Sequence, residues 1–206
     1  MANRPAPARG VAPAASGSRE PAGSTALRAL ARQRFLAGKR IRVEELAAEL
    51  GIPRATAYRW AGNAEALAAQ VVVELVDLNF ALSLRDARGR GAARIVDATA
   101  RGLRMIADSR AYRAFMARDP QKALRVVASK EGPVQARTIA HYERLLREEI
   151  EAGHLALTVD PHTMAYALVR LAESFLYADI IAGESPDLGK AVEIIRLLLG
   201  AGTGPA

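Results

Sequence analysis

Cysteine is absent from this 206-residue sequence, which excludes disulfide bonds and thiolate metal sites and favours the reducing cytoplasm as the location. The first 23 residues contain no apolar run of the length that a secretory signal needs. Later in the chain, no stretch of about 18 residues is both apolar and free of charge. We therefore expect a soluble, cytoplasmic protein that does not enter a membrane.

The patterns typical of strands and of common catalytic sites are also missing. No alternating run of β-branched residues predicts a sheet, and neither a G-x-S-x-G motif, nor a P-loop, nor a GxGxxG turn after a strand occurs. The three histidines, His141, His154 and His162, are 13 and 8 residues apart, which does not fit the helical spacing of zinc ligands. We predict no catalytic residues, no cofactor and no metal site.

Positive charge, in contrast, is concentrated at the start of the chain. Residues 1–60 carry 11 Lys and Arg against 4 Asp and Glu, whereas residues 61–206 carry 18 of each class. Neutralising phosphates supplies most of the non-specific affinity for nucleic acid. A basic N-terminal part (the head, residues 1–60) joined to a neutral remainder (the body) therefore predicts a polyanionic partner. A loose arginine-rich arm is the alternative explanation, but residues 24–60 alone still carry 8 basic and 3 acidic residues.

Helical periodicity dominates from residue 24 onward, which predicts an all-α fold. Ser24 or Thr25 is predicted to cap the first helix. A two-turn helix then stops at Gly51, a third helix follows it, and Asn63 caps a long fourth helix. Later helices are expected over residues 92–107, 112–118, 120–129, 133–152, 160–182 and 187–199.

The stretch GIPRATAYRW, residues 51–60, combines a turn glycine with a proline, two arginines, a hydroxyl and two aromatics. Two short helices joined by a tight turn form a helix-turn-helix, which needs a small residue where the helices touch and a left-handed residue at the turn. Ala47 and Gly51 meet these needs. The second helix enters the major groove, so its exposed positions carry hydrogen-bonding or stacking groups. Four side chains fit that role: Arg54, Thr56, Arg59 and Trp60.

Residues 42–67, RVEELAAELGIPRATAYRWAGNAEAL, resemble the DNA-binding signature of the TetR family of bacterial transcriptional regulators. The closest agreement is at Gly51, Thr56, Tyr58, Glu65 and Leu67. The resemblance implies phosphate contacts by Thr56 and Tyr58, and contacts to base edges or backbone by Arg54, Ala55 and Arg59. The residues expected at the DNA are Arg42, Arg54, Ala55, Thr56, Tyr58, Arg59 and Trp60.

The chain departs from the family pattern directly after this helix. Where the family commonly has an aromatic residue followed by Pro-Ser-Lys, residues 61–64 read Ala-Gly-Asn-Ala, so the family's lysine contact to phosphate is missing. Arg59, Arg42 or Arg40 can supply that charge instead. Because Ala61 replaces a core aromatic, Trp60 either packs inward or reaches the DNA backbone.

Two side chains of the second helix have ordinary alternatives to a DNA contact. Arg54 either reads a guanine or is a solvated charge. Tyr58 can be a core tyrosine with its hydroxyl at the edge, which is an arrangement that also permits a phosphate contact.

The resemblance also predicts how the chain is organised. A basic arm precedes a three-helix DNA-binding domain, and a long helix leads to a helical body that binds a ligand and dimerises. In order, the predicted segments are the disordered arm 1–23, the helix-turn-helix domain 24–62, the connecting helix 63–87, the body 88–200 and the tail 201–206.

In the family the middle helices wrap a small-molecule pocket, and soft or amphipathic side chains suit an adaptable apolar cavity. The predicted ligand-binding residues are Met105, Tyr112, Phe115, Met116, His141 and Tyr142. Plain core packing is the alternative for each, and for His141 it is a satisfied interior polar group. The segment RATAYRWAGNAEAL further resembles the QsdR-like branch, whose members are linked with control of lactone breakdown, which implies an acyl lactone or related metabolite as effector.

The last two predicted helices, residues 160–182 and 187–199, are amphipathic, and the equivalent pair in the family forms a four-helix dimer seam. Packing within one chain is the alternative. Two recognition helices about 34 Å apart read a palindrome, whereas one contacts too few bases. The predicted partners are a double-stranded DNA operator, a small-molecule effector and a second copy of the chain in a C2 homodimer. The competing function is an all-helical enzyme or ligand carrier with only non-specific nucleic-acid affinity.

Overall fold

The computed structural model describes residues 21–130 and 132–200 of the chain. Within those residues the fold is all-α, as predicted, with eleven helices and no strand. The helices are α1 Ala22–Leu36, α2 Val43–Glu49, α3 Arg54–Ala61, α4 Ala64–Arg85, α5 Gly91–Asp108, α6 Arg110–Arg118, α7 Pro120–Ala128, α8 Pro133–Glu151, α9 Pro161–Leu176, α10 Ala178–Ile181 and α11 Leu188–Leu198. The expected disordered arm, apart from its last three residues, and the expected tail lie outside the described residues.

The first three helices form the predicted helix-turn-helix, with α1 packed against both α2 and α3. Ala47 is only 1% exposed where these helices meet. Gly51 has a φ of 65°, which is the left-handed conformation that the tight turn before α3 requires. The roles predicted for both small residues are confirmed.

Helix α1 begins at Ala22, so the assignment of Ser24 or Thr25 as its N-cap is wrong. The backbone N–H of Ser24 donates to the carbonyl of Pro21 at 2.8 Å, which places Ser24 inside the first turn. Pro21 occupies the N-cap position without a side-chain cap hydrogen bond. The earlier start also makes Gly23, which was assigned to the arm, part of the helix.

Helix α4 runs for 22 residues from the DNA-binding head into the body. Asn63 caps it as predicted, because its side-chain oxygen accepts a hydrogen bond from the N–H of Ala66 at 2.7 Å. By length and composition alone, α4 is apolar enough to cross a membrane, and 39% of its apolar window is buried inside the fold. Side chains of α4 belong to both hydrophobic clusters, as expected of a core helix that joins the two halves.

The helices predicted after residue 88 occur with ends shifted by at most two residues, except for the long helix expected over residues 160–182. In the structure α9 ends at Leu176, Tyr177 turns the chain, and the short α10 follows. Tyr177 is 6% exposed, and its hydroxyl lies 2.7 Å from the hydroxyl of Tyr112. The expectation of one continuous helix is wrong at the point where this side chain turns inward.

Two clusters of buried apolar side chains stabilise the fold. The first joins α1 to α4 with α6 and α7, and includes Phe35, Leu67 and Val126. The second lies among α4, α5, α8, α9 and α11, and includes Ile95 and Leu145. Because the first cluster crosses the predicted boundary at residue 88, the head packs on α6 as well as on α4, and α7 completes the cluster.

Candidate nucleic-acid interface and ligand cavity

Helix α3 presents one exposed face and one buried face. Ala57 and Ala61 are at most 1% exposed and pack into the head, whereas Arg54, Ala55 and Arg59 are exposed. Within the part of the chain that the structure describes, neither arginine forms an ion pair or a hydrogen bond. Thr56 lies between the two faces and is half-buried. The exposed face therefore offers two free guanidinium groups to a polyanion.

Tyr58 is 39% exposed, and its hydroxyl donates a hydrogen bond to the carboxylate of Glu44 in the first turn of α2. This hydrogen bond lowers the pKa of Glu44 and raises the pKa of Tyr58. The hydroxyl expected to contact phosphate thus already has an anionic partner on the same surface. A DNA phosphate must displace that carboxylate to reach the hydroxyl.

The basic loop between α1 and α2 lies beside α3. Arg42 is the N-cap residue of α2, and its guanidinium forms an exposed ion pair with Glu45 at 3.0 Å. Arg40 and Arg42 line a groove of about 490 Å³ together with Tyr58 and Ala64, the position where the family pattern has a lysine. Arg59 is not in the lining of this groove. The loop arginines are therefore better placed than Arg59 to replace the missing charge.

Trp60 packs inward, which is one of the two arrangements left open by the sequence. Its half-buried indole contacts the hydrophobic cluster of the head. A Cβ atom added to Gly23 of α1 would lie 2.5 Å from the ring, so only glycine permits this approach. Trp60 therefore packs on α1, and its predicted contact with DNA stays a prediction.

An apolar cavity of about 260 Å³ lies between the head and the body. Its wall is formed by the end of α1, by side chains of α4, α5, α6, α8 and α9, and by Val127 of α7. Three of the six predicted ligand-binding residues line it: Met105, Tyr112 and Tyr142. The structure therefore contains a cavity among the middle helices, although only half of the predicted residues face it.

The other three predicted residues lie outside the cavity wall. Phe115 packs against Phe35 with ring centroids 5.3 Å apart, and Met116 is 7% exposed within the first hydrophobic cluster. His141 stacks on Phe80, and its Nε2 atom lies 2.6 Å from a carboxylate oxygen of Asp77. His141 is thus a satisfied interior polar group. Adjacent helical residues point about 100° apart, so Tyr142 can face the cavity while His141 cannot.

Most polar groups in the cavity wall belong to residues outside the predicted ligand-binding set. The hydroxyls of Tyr112 and Tyr177 are 2.7 Å apart. The carboxylate of Glu173 accepts hydrogen bonds from Gln135 at 3.0 Å and from Arg170 at 2.8 Å. Burial raises the pKa of Glu173 in spite of these donors. One feature of the sequence could have indicated that Glu173 faces the interior. It lies within an apolar helical stripe, four residues after Val169 and three before Leu176.

The mouth of the cavity is apolar. Leu36, Leu78 and Met105 all line it and are 52%, 44% and 37% exposed. Large apolar side chains that are exposed together mark a binding surface more often than chance placement does. The mouth therefore offers an entry for an apolar group from solvent.

Each histidine binds a separate carboxylate, so the three do not converge. His141 contacts Asp77, His154 lies 3.3 Å from Glu149, and His162 lies 2.8 Å from Glu143. Among the described residues, no group of three or more His, Asp or Glu is arranged to hold a metal ion. The histidines of this part of the chain are ion-pair and hydrogen-bond partners.

Exposed apolar side chains also collect around the last helices. Five of the nine large apolar residues that are exposed in the described chain lie between residues 159 and 198. They are Val159, Tyr166, Ile181, Leu197 and Leu198. Helices α9 and α11, which the sequence analysis assigned to a dimer seam, pack on each other and carry three of these residues, Tyr166, Leu197 and Leu198.

The family model described as "Tetracyclin repressor-like, C-terminal domain" matches residues 90–200. Among solved structures, the TetR-family transcriptional repressor QsdR of R. erythropolis is similar over 90% of this chain and 100% of its own, with a TM-score of 0.84 and 28% sequence identity. The fatty acid degradation regulator FadR of Bacillus halodurans shares the fold over 91% of this chain and 100% of its own, with a TM-score of 0.54 and 14% identity. No match was found among curated protein sequences.

Proposed function

The chain belongs to the TetR family of transcriptional regulators, and from that premise we propose that it is a ligand-responsive repressor that binds a palindromic operator as a homodimer. A small apolar or amphipathic effector releases it from the DNA. In this proposal residues 24–62 read the operator, residues 63–87 connect, and residues 88–200 bind the effector and dimerise. The protein acts in the cytoplasm and performs no catalysis.

The free cations on the exposed face of α3 support the DNA-binding role. We assign Arg54, Ala55 and Arg59 to base edges or backbone in the major groove, and Thr56 and Tyr58 to phosphates. Arg42 and Arg40 supply backbone contacts beside Ala64, where the family pattern has a lysine. Trp60 contributes by holding α3 against α1.

The observation that carries the ligand-responsive role is that the head itself supplies part of the cavity wall. Phe35 and Leu36, at the end of α1, line the cavity, and α1 also packs against α3. An effector in the cavity therefore contacts the helix that supports the recognition helix. Tyr112 extends this connection, because its ring lies 6.4 Å from that of Phe115, which packs on Phe35.

Release requires that the effector bind the state with displaced heads more tightly than the state that fits the operator. A two-hundredfold loss of operator affinity corresponds to roughly 3 kcal/mol of differential binding. Contacts that change when α1 moves, such as those of Phe35 and Leu36, are suited to provide that difference. Contacts that are the same in both states do not change the difference in effector affinity, so they do not contribute to release.

The apolar surface around α9 and α11 supports the homodimer. In a C2 dimer the same surface of each chain meets its copy, so two pairs of helices form a four-helix seam. Such a seam would bury Tyr166, Leu197 and Leu198, which are each more than 40% exposed in the single chain. The dimer sets the separation of the two α3 helices.

The effector is proposed to be small because the cavity of about 260 Å³ is near the lower end of ligand pockets. An acyl lactone or related metabolite is the effector implied by the resemblance to the QsdR-like branch. An amphiphile of this kind matches an apolar wall that contains a few convergent polar groups.

Selection from fragmented genomic DNA tests the proposal. The purified chain is mixed with the fragments, bound DNA is sequenced, and the recovered site is mapped by footprinting. The proposal predicts one palindromic sequence with half-sites about 10 bp apart or a multiple of that distance. An Arg54→Ala and Arg59→Ala double variant should fail to enrich it. Recovery of fragments without a shared sequence would instead favour an enzyme or carrier that binds nucleic acid non-specifically.

A further inference from the structure

The charges in the cavity wall are of one sign. Glu173 is the only ionisable acid or base of the Asp, Glu, Lys, Arg and His types among the described residues that line it. Arg170 reaches the same carboxylate from the outer surface, where its side chain is 48% exposed, but it does not line the cavity. A ligand inside the cavity therefore meets a carboxylate and no cation.

The two tyrosines provide a hydrogen-bond donor. Tyr112 and Tyr177 are hydrogen-bonded to each other through their hydroxyls, and each hydroxyl has one hydrogen to donate. One of the two hydrogens is used between the rings, so the other remains for a further acceptor. Both residues line the cavity, which places that donor within reach of a bound ligand.

We propose that the cavity takes a neutral amphiphile with one apolar chain and a carbonyl-bearing head group, and that it rejects the matching carboxylate. The carbonyl oxygen accepts from the tyrosine pair, and the chain lies along α4 and α5 towards the mouth at Leu78 and Met105. This inference rests on the proposed function, because it names the class of ligand that binds in the proposed effector cavity.

The size of the cavity limits the length of the chain. Its volume is about 260 Å³, roughly nine times the volume that one water molecule occupies in the liquid. A ligand of about ten non-hydrogen atoms fills this space when the end of its chain reaches the apolar mouth. A neutral eight-carbon amide has that size.

The rejection of anions follows from desolvation. An ionised head group loses its hydration on entering an apolar cavity, and it regains a favourable energy only when a cation or several donors replace the water. The wall provides a carboxylate of the same sign as the ligand and no cation, and its donors are neutral: the tyrosine pair, the amide of Asn79 and the hydroxyl of Ser109. A neutral amide or ester loses much less hydration and can satisfy its carbonyl with one of these donors.

Calorimetric titration of the full chain without DNA, at pH 7.5, tests the proposal with octanamide and octanoate. These two probes have nearly the same shape, and octanoate is ionised at this pH. We expect saturable binding of octanamide and at least roughly tenfold weaker binding of octanoate. Equal affinity, tighter binding of octanoate, or no binding of either probe would overturn the proposal.

Variants test whether Glu173 and the tyrosine pair cause the difference in affinity between octanamide and octanoate. Glu173→Gln should bring the affinities of the two probes closer together, whereas Glu151→Gln, at an exposed position of α8 outside the cavity lining, should leave both unchanged. A Tyr112→Phe and Tyr177→Phe double variant removes both hydroxyls and should weaken octanamide binding. An unchanged ratio of affinities in correctly folded Glu173→Gln, verified by circular dichroism, would contradict the assignment.

The two proposals fail in different measurements. If the probes are discriminated as expected but no operator is found, the ligand class stands and the repressor function falls. If an operator is found but octanoate binds as tightly as octanamide, the repressor stands and the ligand class falls. Should Glu173→Gln not fold, the wild-type comparison of the two probes still decides the inference.

Discussion

Tyr58 and Glu44 form a hydrogen bond on the surface that we propose binds DNA. The hydroxyl of Tyr58 donates to Glu44, and Arg54 and Arg42 are the nearby cations that act on this carboxylate. A negative charge at this position repels an approaching phosphate and occupies the donor that the phosphate needs. We therefore expect Glu44 to limit the DNA affinity of this proposed interface.

Removing this carboxylate should tighten DNA binding. We expect Glu44→Gln to increase affinity for operator DNA by about threefold to tenfold at low salt, because the repulsion is lost and a neutral amide holds the hydroxyl of Tyr58 less strongly than a carboxylate does. The measurement is fluorescence anisotropy with labelled DNA, with Glu151→Gln as a control far from the head. Weaker binding by Glu44→Gln would show that Glu44 positions Tyr58 for the phosphate.

Gly23 offers a second test at the scale of single residues. A Cβ at this position would approach the Trp60 ring to 2.5 Å, so Gly23→Ala must displace the indole. We expect a loss of about 1–3 kcal/mol in the free energy of unfolding and a shift in the emission of the one tryptophan. Gly189→Ala is the matched control, since its Cβ would meet its nearest neighbour at an ordinary 3.5 Å. Equal stability of the two variants would contradict the packing described for Trp60.

At the scale of elements, the helix-turn-helix was predictable and the cavity was not. Ala47, Gly51 and Asn63 act through local backbone geometry, so their residue types alone indicate their roles. The cavity depends on which side of a helix faces another helix, and neighbours such as His141 and Tyr142 differ in this respect. Phe35 and Leu36 could not be assigned to the cavity from the sequence, because nothing in a local pattern shows that α1 reaches the body.

Breaks between elements were missed where a buried side chain determines them. The pattern over residues 160–182 is continuous and amphipathic, yet the helix ends at Leu176 and Tyr177 turns inward to Tyr112. No glycine or proline marks this break. The start of α1 was missed for the opposite reason, since a good capping residue, Ser24, lies inside the first turn.

Glu149 joins two elements, and its effect should depend on pH. This carboxylate of α8 is 4% exposed and accepts hydrogen bonds from the N–H of Gly91 at 2.6 Å and from Arg94 at 2.5 Å, both in α5. Burial alone would raise its pKa, but these donors hold the pKa of Glu149 below its usual value. The stabilisation is therefore present above the unfolded pKa of about 4.3 and is lost as the pH falls through the lower folded pKa.

We expect Glu149→Gln to lower the free energy of unfolding by about 2 kcal/mol at pH 7, because the amide cannot accept all these hydrogen bonds. The difference from wild type should shrink as the pH falls below about 4. Urea denaturation followed by circular dichroism at pH 7 and at pH 3.5 measures both quantities. A difference that is the same at both pH values would mean that the charge of Glu149 does not contribute.

At the scale of the whole molecule, the apolar surface around α11 predicts the assembly. Leu197→Glu with Leu198→Glu should convert the proposed dimer into a monomer, because charges would be buried at the proposed seam. Analytical ultracentrifugation measures the change, and Ala136→Glu, at an exposed position of α8, is the control. Helical content should persist while operator affinity falls at least roughly a hundredfold, since one half-site is lost. A dimer that survives the double substitution would place the interface elsewhere.

Sequence-specific binding of DNA is the central claim, and one measurement tests it directly. Labelled DNA from upstream of the coding region is titrated with wild type, Arg59→Ala and Tyr58→Phe by anisotropy, at moderate salt and with excess unrelated duplex. We predict saturable binding of wild type to one palindromic segment, and about tenfold weaker binding by each variant with unchanged helical content. The contradicting result is weak binding that salt abolishes and that is equal for every DNA and for all three proteins. It would mean that the protein does not recognise this DNA specifically and that α3 does not have the assigned role.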